Sequence, residues 1–161
     1  MASIQVGPGR PDHPQVRVLL DALDAYLASL YAPEDNHILD LGALKAPEVD
    51  FLVAWHDGEA VGCGAARRMP GEPDTAGRPY GEIKRMMVAP VHRGHGIAGR
   101  LLQALEARLA GHGVGLALLE TGRDQHAAVR LYERCGYRRR GPFGGYPDNG
   151  LSWFYEKPLA A

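Results

Sequence analysis

The sequence predicts an α/β (α+β) domain with strands and helices interspersed along the chain, and three observations carry that reading. Two apolar segments, residues 50–56 and 60–69, flank Asp57-Gly58, a dipeptide suited to the left-handed backbone of a tight hairpin, so they form neighbouring antiparallel strands. Two other segments repeat apolar residues at helical spacing: Val16, Leu19, Leu20, Leu23, Leu27 and Leu30, then Ile97, Leu101, Leu102, Leu105 and Leu109. Finally, a strand over residues 81–88 enters the second of these helices through a glycine-rich turn.

The remaining elements follow in order. Residues 3–6 read as a short strand closed by Gly7-Pro8-Gly9, and Asp12 is placed to cap the first helix, which runs to about Tyr31. Residues 32–37 form a polar loop and 39–44 a short helix. After the hairpin, residues 70–79 are rich in Pro and Gly and form an exposed loop. Residues 114–121 are a strand, and 127–135 a helix with Ala128, Leu131, Tyr132 and Cys135 on one face. Residues 136–139 and 151–156 close the chain as strands around a Gly/Pro-rich loop. The order is β-α-α-β-β-β-α-β-α-β-β, with no repeat and no linker, so residues 1–161 are expected to form one domain.

Composition narrows the function classes. Hydrophobic residues make up 45% and charged residues 23%, and the net charge is −1, so neither nucleic acid nor an acidic membrane surface is an expected partner. No apolar run approaches the ~20 residues that span a bilayer. Residues 1–10 lack the basic and apolar stretches of a secretory signal, which points to a cytoplasmic protein. Cys63 and Cys135 fall in apolar-periodic segments and read as buried, reduced thiols. No Cys/His spacing suits a metal.

The chemistry concentrates in Val88 to Gly99. A helix N-terminus presents unpaired N–H groups and a partial positive charge, glycines let an anion approach the backbone, and Arg93 adds a formal charge. Gly94, Gly96 and Gly99 match a dinucleotide-binding fingerprint, with Glu120 at a suitable distance. Three features oppose it. Five residues separate Val88 from the first glycine, the preceding strand carries Glu82, Lys84 and Arg85, and only one further βα unit follows. A P-loop fails because no Lys-Ser/Thr follows the glycines.

Arg93, Gly96 and Ala98 meet the pattern Arg-x-x-Gly-x-Ala, which resembles the pyrophosphate loop of the GNAT N-acetyltransferase superfamily. Downstream, Gln125, Ala128, Leu131, Tyr132, Glu133, Gly136 and Tyr137 resemble that family's second signature, Asn-x-x-Ala-x-x-Leu-Tyr-Glu-x-x-Gly-Phe, with Gln125 where Asn is commoner. The likeness spans residues 51–157. Gly81-Glu82-Ile83-Lys84-Arg85-Met86 and Leu119-Glu120-Thr121-Gly122 are similar to a bacterial subgroup of uncertain substrate.

The resemblance implies a mixed, mostly antiparallel central sheet, flanked by helices and splayed at the fourth strand. It also implies acetyl-CoA as donor cosubstrate, no metal, and direct transfer to a small-molecule or peptide amine, with a homodimer left open. Pantetheine would bond to the backbone of Met87 and Val88 and contact Gln125, an N–H near Val88 would face the thioester oxygen, and Arg93, Gly94, His95, Gly96, Ile97 and Ala98 would hold the pyrophosphate. Glu82 is the candidate general base, set against an ion-paired Glu beside Lys84 or Arg85, with Glu120 as rival. Tyr132 is the candidate general acid toward the leaving thiolate, set against a core-edge tyrosine. Transfer from a phenol to a thiolate is uphill by about 2 kcal/mol at ordinary pKa values. His92 and His95 read as solvated loop residues. The loops 31–37 and 143–149 are expected to frame the acceptor, with Glu34, Asp35 and Asp148 attracting a cation and Tyr31, Phe143 and Tyr146 stacking on it. The competing class is a module that binds acetyl-CoA without catalysis, which would keep the Arg93–Ala98 loop but need neither Glu82 nor Tyr132.

Overall fold

A computed structural model describes residues 3–160 of the chain. Seven strands form one sheet: β1 (Ile4–Pro8), β2 (Val49–His56), β3 (Glu59–Met69), β4 (Tyr80–Val88), β5 (Leu116–Gly122), β6 (Arg138–Arg140) and β7 (Ser152–Pro158), in the spatial order β1-β2-β3-β4-β5-β7-β6. Four helices accompany them: α1 (Pro14–Leu30), α2 (Leu41–Leu44), α3 (Ile97–Gly111) and α4 (His126–Arg134). Every neighbouring pair is antiparallel except β4 and β5. The β2–β3 hairpin turns through Asp57 and Gly58, both at positive φ, as the dipeptide demands.

Apolar periodicity decides which face each helix covers. In α1, Val16, Leu19, Leu20 and Leu23 pack on Phe51, Val53, Cys63 and Ala65, on one face of β2 and β3. In α3, Ile97, Leu101, Leu102, Leu105 and Leu109 pack on Leu52, Ala54, Val61 and Ile83, on the other face. Each such side chain contributes roughly 1.5–3 kcal/mol relative to exposure. A smaller cluster of Tyr80, Leu116, Leu118, Phe143 and Phe154 tethers the β6–β7 loop to the sheet.

The boundaries shift where capping chemistry outweighs pattern. β1 continues through Gly7 and Pro8, which an edge strand tolerates because one side of it needs no N–H donor. His13 rather than Asp12 caps α1: its Nδ1 accepts from Gln15 N–H at 3.1 Å, and Pro14 takes the first helical position. Asp12 instead pairs with Arg10 and Lys45. α2 starts later than expected because Asp40 caps it, accepting from Ala43 N–H at 2.8 Å.

The feature that makes a site is the β4–β5 seam. The two strands share only Gly81↔Ala117 and Glu82↔Leu118, while β3 follows β4 to Val88 and β7 follows β5 to Gly122. Each strand therefore keeps its outer partner as the two diverge, and a cleft opens beyond Glu82 with unpaired strand edges on both sides. No helix among the described residues is long and apolar enough to cross a membrane.

Candidate active site

The cleft runs from the Gly-rich turn, past Met86 and Tyr132, to the loop that follows α1. At the first end, residues 90–92 make a single 3-10 turn, and α3 begins after Gly96. The first backbone bond of that helix runs from Arg100 N–H to Gly96 O, so the N–H groups of Ile97, Ala98 and Gly99 precede the helical ladder. Gly94 and Gly96 have φ of 84° and 74°, a left-handed backbone that favours glycine. A Cβ at either position, or at Gly99, would meet nothing, so no side chain or backbone packs on this cradle. Six consecutive N–H groups, from Gly94 to Gly99, find no backbone acceptor among the described residues. This donor set fits a pyrophosphate.

Arg93 and His95 are exposed here, and His92 is half-buried against His56. The Arg93 guanidinium folds back on β4: Nε donates to Val88 O at 3.1 Å. It must rotate outward to meet an anion. Met87 and Val88 sit at the end of β4, paired to Cys63 and Gly62 on the β3 side.

Farther along, α4 carries Tyr132 into the cleft wall and starts after Gln125, which also lines the cleft. Tyr132 is 7% exposed. Burial, then the charges of Glu120 and Cys135, push its phenol above its ordinary value, so it stays protonated. Cys63 is buried and its thiol is pushed up to about 12, whereas Cys135 is half-buried, which corrects the expectation of two buried thiols.

Glu82 and Glu120 lie in different settings. Glu82 is 2% exposed and does not line the cleft. Its Oε1 accepts from Arg67 Nη2 at 3.1 Å, its Oε2 accepts from the Tyr146 hydroxyl, and Lys84 Nζ stands 3.6 Å away. This is an ion-paired glutamate with Arg67 and Lys84 as partners; Arg85 is not among them. Glu120 is half-buried and does line the cleft, with Oε2 accepting from Ser152 Oγ at 2.6 Å. It shares the cleft wall with Tyr31 and Tyr132.

The cleft's other end is side-chain chemistry. Lys84 Nζ donates to His37 O at 2.9 Å and to the Tyr146 hydroxyl at 2.7 Å, tying the loops that follow α1 and β6 to β4. Tyr31, Asp35, Asn36 and His37 line the cleft, and His37 sets its ring edge-on to Tyr146. Glu34 and Asp148 do not line it. Phe143 is fully buried under Tyr80 and Phe154, so it is not free to stack on an acceptor.

The residue that sequence reasoning missed is Arg85. The β3–β4 register slips between Cys63 and Ala65, and Arg85 takes φ 59° at the bulge. Alternation from Lys84 would send Arg85 toward α3. The bulge instead puts both on the α1 face, where Arg85 Nη1 is ion-paired to Asp24. No local sequence signal announces a bulge at a non-glycine residue.

Comparison with known proteins is consistent with this geometry. A family model described as the acetyltransferase (GNAT) family matches residues 17–137. A protein of Azospirillum brasilense named IAA acetyltransferase is 43% identical over 159 residues, covering 99% of this chain and 100% of its own length. A Bacillus subtilis protein named uncharacterized N-acetyltransferase YsnE is 35% identical over 129 residues, 79% of this chain and 81% of its own. Among solved structures, a Klebsiella pneumoniae protein named as a candidate acyl-CoA N-acyltransferase superposes with a TM-score of 0.78 at 36% identity, covering 99% of each chain. A Thermoplasma acidophilum PaiA N-acetyltransferase in complex with coenzyme A shares the fold, with a TM-score of 0.71 at 15% identity over 98% of this chain and 99% of that one.

Proposed function

The chain belongs to the acetyltransferase (GNAT) family, and from that premise we propose that it moves the acetyl group of acetyl-CoA directly onto a primary amine held between α1 and the diverging strands. The observation that carries this reading is the β4–β5 cleft, with six free N–H groups at one end and Glu120 and Tyr132 both lining it farther in.

In this reading Arg93 and the N–H groups from Gly94 to Ala98 hold the pyrophosphate, and the unpaired edge of β4 near Met87 and Val88 receives pantetheine, with Gln125 on the facing wall. Acetyl-CoA supplies the thioester carbon, and an N–H near Val88 stabilises negative charge on its oxygen. The amine must be neutral to attack. Glu82 is the weaker candidate for the base, because both of its oxygens are already engaged by Arg67 and Tyr146 and it does not line the cleft. The base role passes to Glu120, and Glu82 becomes a positioning residue that holds Tyr146 and Lys84. Tyr132 donates a hydrogen bond to the departing thiolate. Its raised pKa makes complete proton transfer costlier, so hydrogen bonding is the larger part of its role.

Reduced thiols support a cytoplasmic setting, and the groups available hold acetyl-CoA without a metal. The test is a screen of amines against the purified protein, reading free CoA with a thiol reagent and the product by mass spectrometry. Acetyl-CoA binding with no amine acetylated would favour a non-catalytic binding module instead.

A further inference from the structure

We propose that the acceptor is an amine that also bears a carboxylate, an amino-acid-type substrate, and that Arg85 receives that carboxylate. The inference rests on the acetyltransferase reading and names the substrate class of the same cleft.

Arg85 is a built feature rather than a surface cation. Its side chain is 6% exposed, and it lines the cleft beside Lys84. Nη1 is held by Asp24 on α1, while Nε is buried without a hydrogen-bond partner. No partner is found for Nη2 either among the described residues. The unused side of the guanidinium is therefore the Nε–Nη2 edge, which a carboxylate takes with two parallel hydrogen bonds. Burying a donor with nothing to bond is costly, and a ligand oxygen removes that cost.

The backbone tells the same story. A long side chain at φ 59° is strained, and the bulge turns Arg85 onto the cleft's face instead of toward α3. Other cations are accounted for. Lys84 already bonds His37 O and the Tyr146 hydroxyl beside Glu82. Arg67 Nε is also unpartnered, but Arg67 does not line the cleft. Charge placement fits a zwitterion: Glu120 on β5 faces the amine, and Arg85 on β4 faces the acid.

The experiment compares α-amino acids with their decarboxylated amines and their amides, at saturating acetyl-CoA. The expected result is a kcat/KM for the acids on the order of 10-fold or more above the matched amine and amide, because a site with a buried donor rejects the analogue that leaves it unpaired. Arg85→Gln should bring that ratio down to about 1, because the donor edge that prefers the acid is lost. Arg85→Lys, which keeps the charge but loses the two-donor edge, should restore part of it. Thermal melting and acetyl-CoA titration establish that each variant is folded, and the comparison on the unaltered protein needs no variant. Amines or amides used as well as the acids overturn the carboxylate inference and leave the transferase reading standing. Acetyl-CoA binding with no acceptor of any kind acetylated overturns both.

Discussion

The two ends of the cleft are built on different principles. Between Val88 and Gly99 the groups on offer are backbone N–H donors, and glycines keep side chains away from them. Around Glu82, Lys84, Arg85, Glu120 and Tyr146 the polar groups are side chains, most already bonded to one another. A backbone site needs only the right turn and works on any molecule carrying the same anion. A side-chain site selects its ligand by which donors and acceptors it leaves free. Substitutions at the first end should therefore move affinity for acetyl-CoA, and those at the second should move turnover or acceptor KM.

The largest effect should come from Glu120→Gln. Losing the base should lower turnover by ~10²–10⁴-fold near neutral pH, with acetyl-CoA affinity unchanged by calorimetry. Part of the rate should return at high pH, where more of the amine is already neutral. Glu82→Gln is the matched comparison. It leaves Arg67 and Lys84 facing an uncharged amide, so the melting temperature should fall, but no recovery at high pH is expected. The reverse pattern would return the base to Glu82.

Tyr132→Phe comes next. It removes one hydroxyl from a buried wall and one hydrogen bond to a developing charge, worth about 1.5–3 kcal/mol, or roughly 10–100-fold in turnover. Mass spectrometry with acetyl-CoA alone should show no acetyl-enzyme, since the Cys63 thiol is pushed up to about 12 and Cys135 does not line the cleft. An acetyl adduct on a cysteine, discharged by amine, would replace direct transfer with a two-step route.

The same contrast explains what was legible in the sequence. The Arg93–Gly96–Ala98 spacing was readable because a turn of exposed backbone donors writes itself as glycines at fixed intervals, and the stripe around Tyr132 because a helix repeats the residues of one face. So was the order of elements, through the periods of α1 and α3 and the Asp57-Gly58 turn. The acceptor end was not readable. Arg85 faces α1 only because of a bulge, and Glu82 is closed off by Arg67 from β3 and Tyr146 from a loop 64 residues away. Phe143, expected to stack on substrate, is buried because the satellite cluster under Tyr80 needed a large apolar side chain, which nothing local reveals.

A smaller effect isolates the acceptor end sterically. A Cβ at Gly122 would overlap the Tyr31 hydroxyl, which is buried without a partner. Gly122→Ala should displace Tyr31 and raise acceptor KM by about 10-fold, the order expected when overpacking shifts a contact by 1–3 kcal/mol. Acetyl-CoA affinity should hold, because Tyr31 lies away from the glycine turn. Loss of acetyl-CoA binding in this variant would mean that the two ends are mechanically coupled.

The smallest effect tests the donor end itself. Arg93 is exposed, so its attraction to a phosphate is screened by water and salt, and it must first give up its bond to Val88 O. Arg93→Ala should therefore weaken acetyl-CoA binding by only about 3–10-fold, less at high ionic strength, with the backbone donors retaining most of the affinity. Turnover at saturating acetyl-CoA should stay close to that of the unaltered protein, because the pyrophosphate is held equally before and during the reaction. Calorimetry at low and high salt, paired with initial rates at saturation, reads both quantities. If affinity is unchanged and turnover collapses, Arg93 is not a phosphate ligand. It would then act on the end of β4 through Val88, beside the proposed donor to the thioester oxygen.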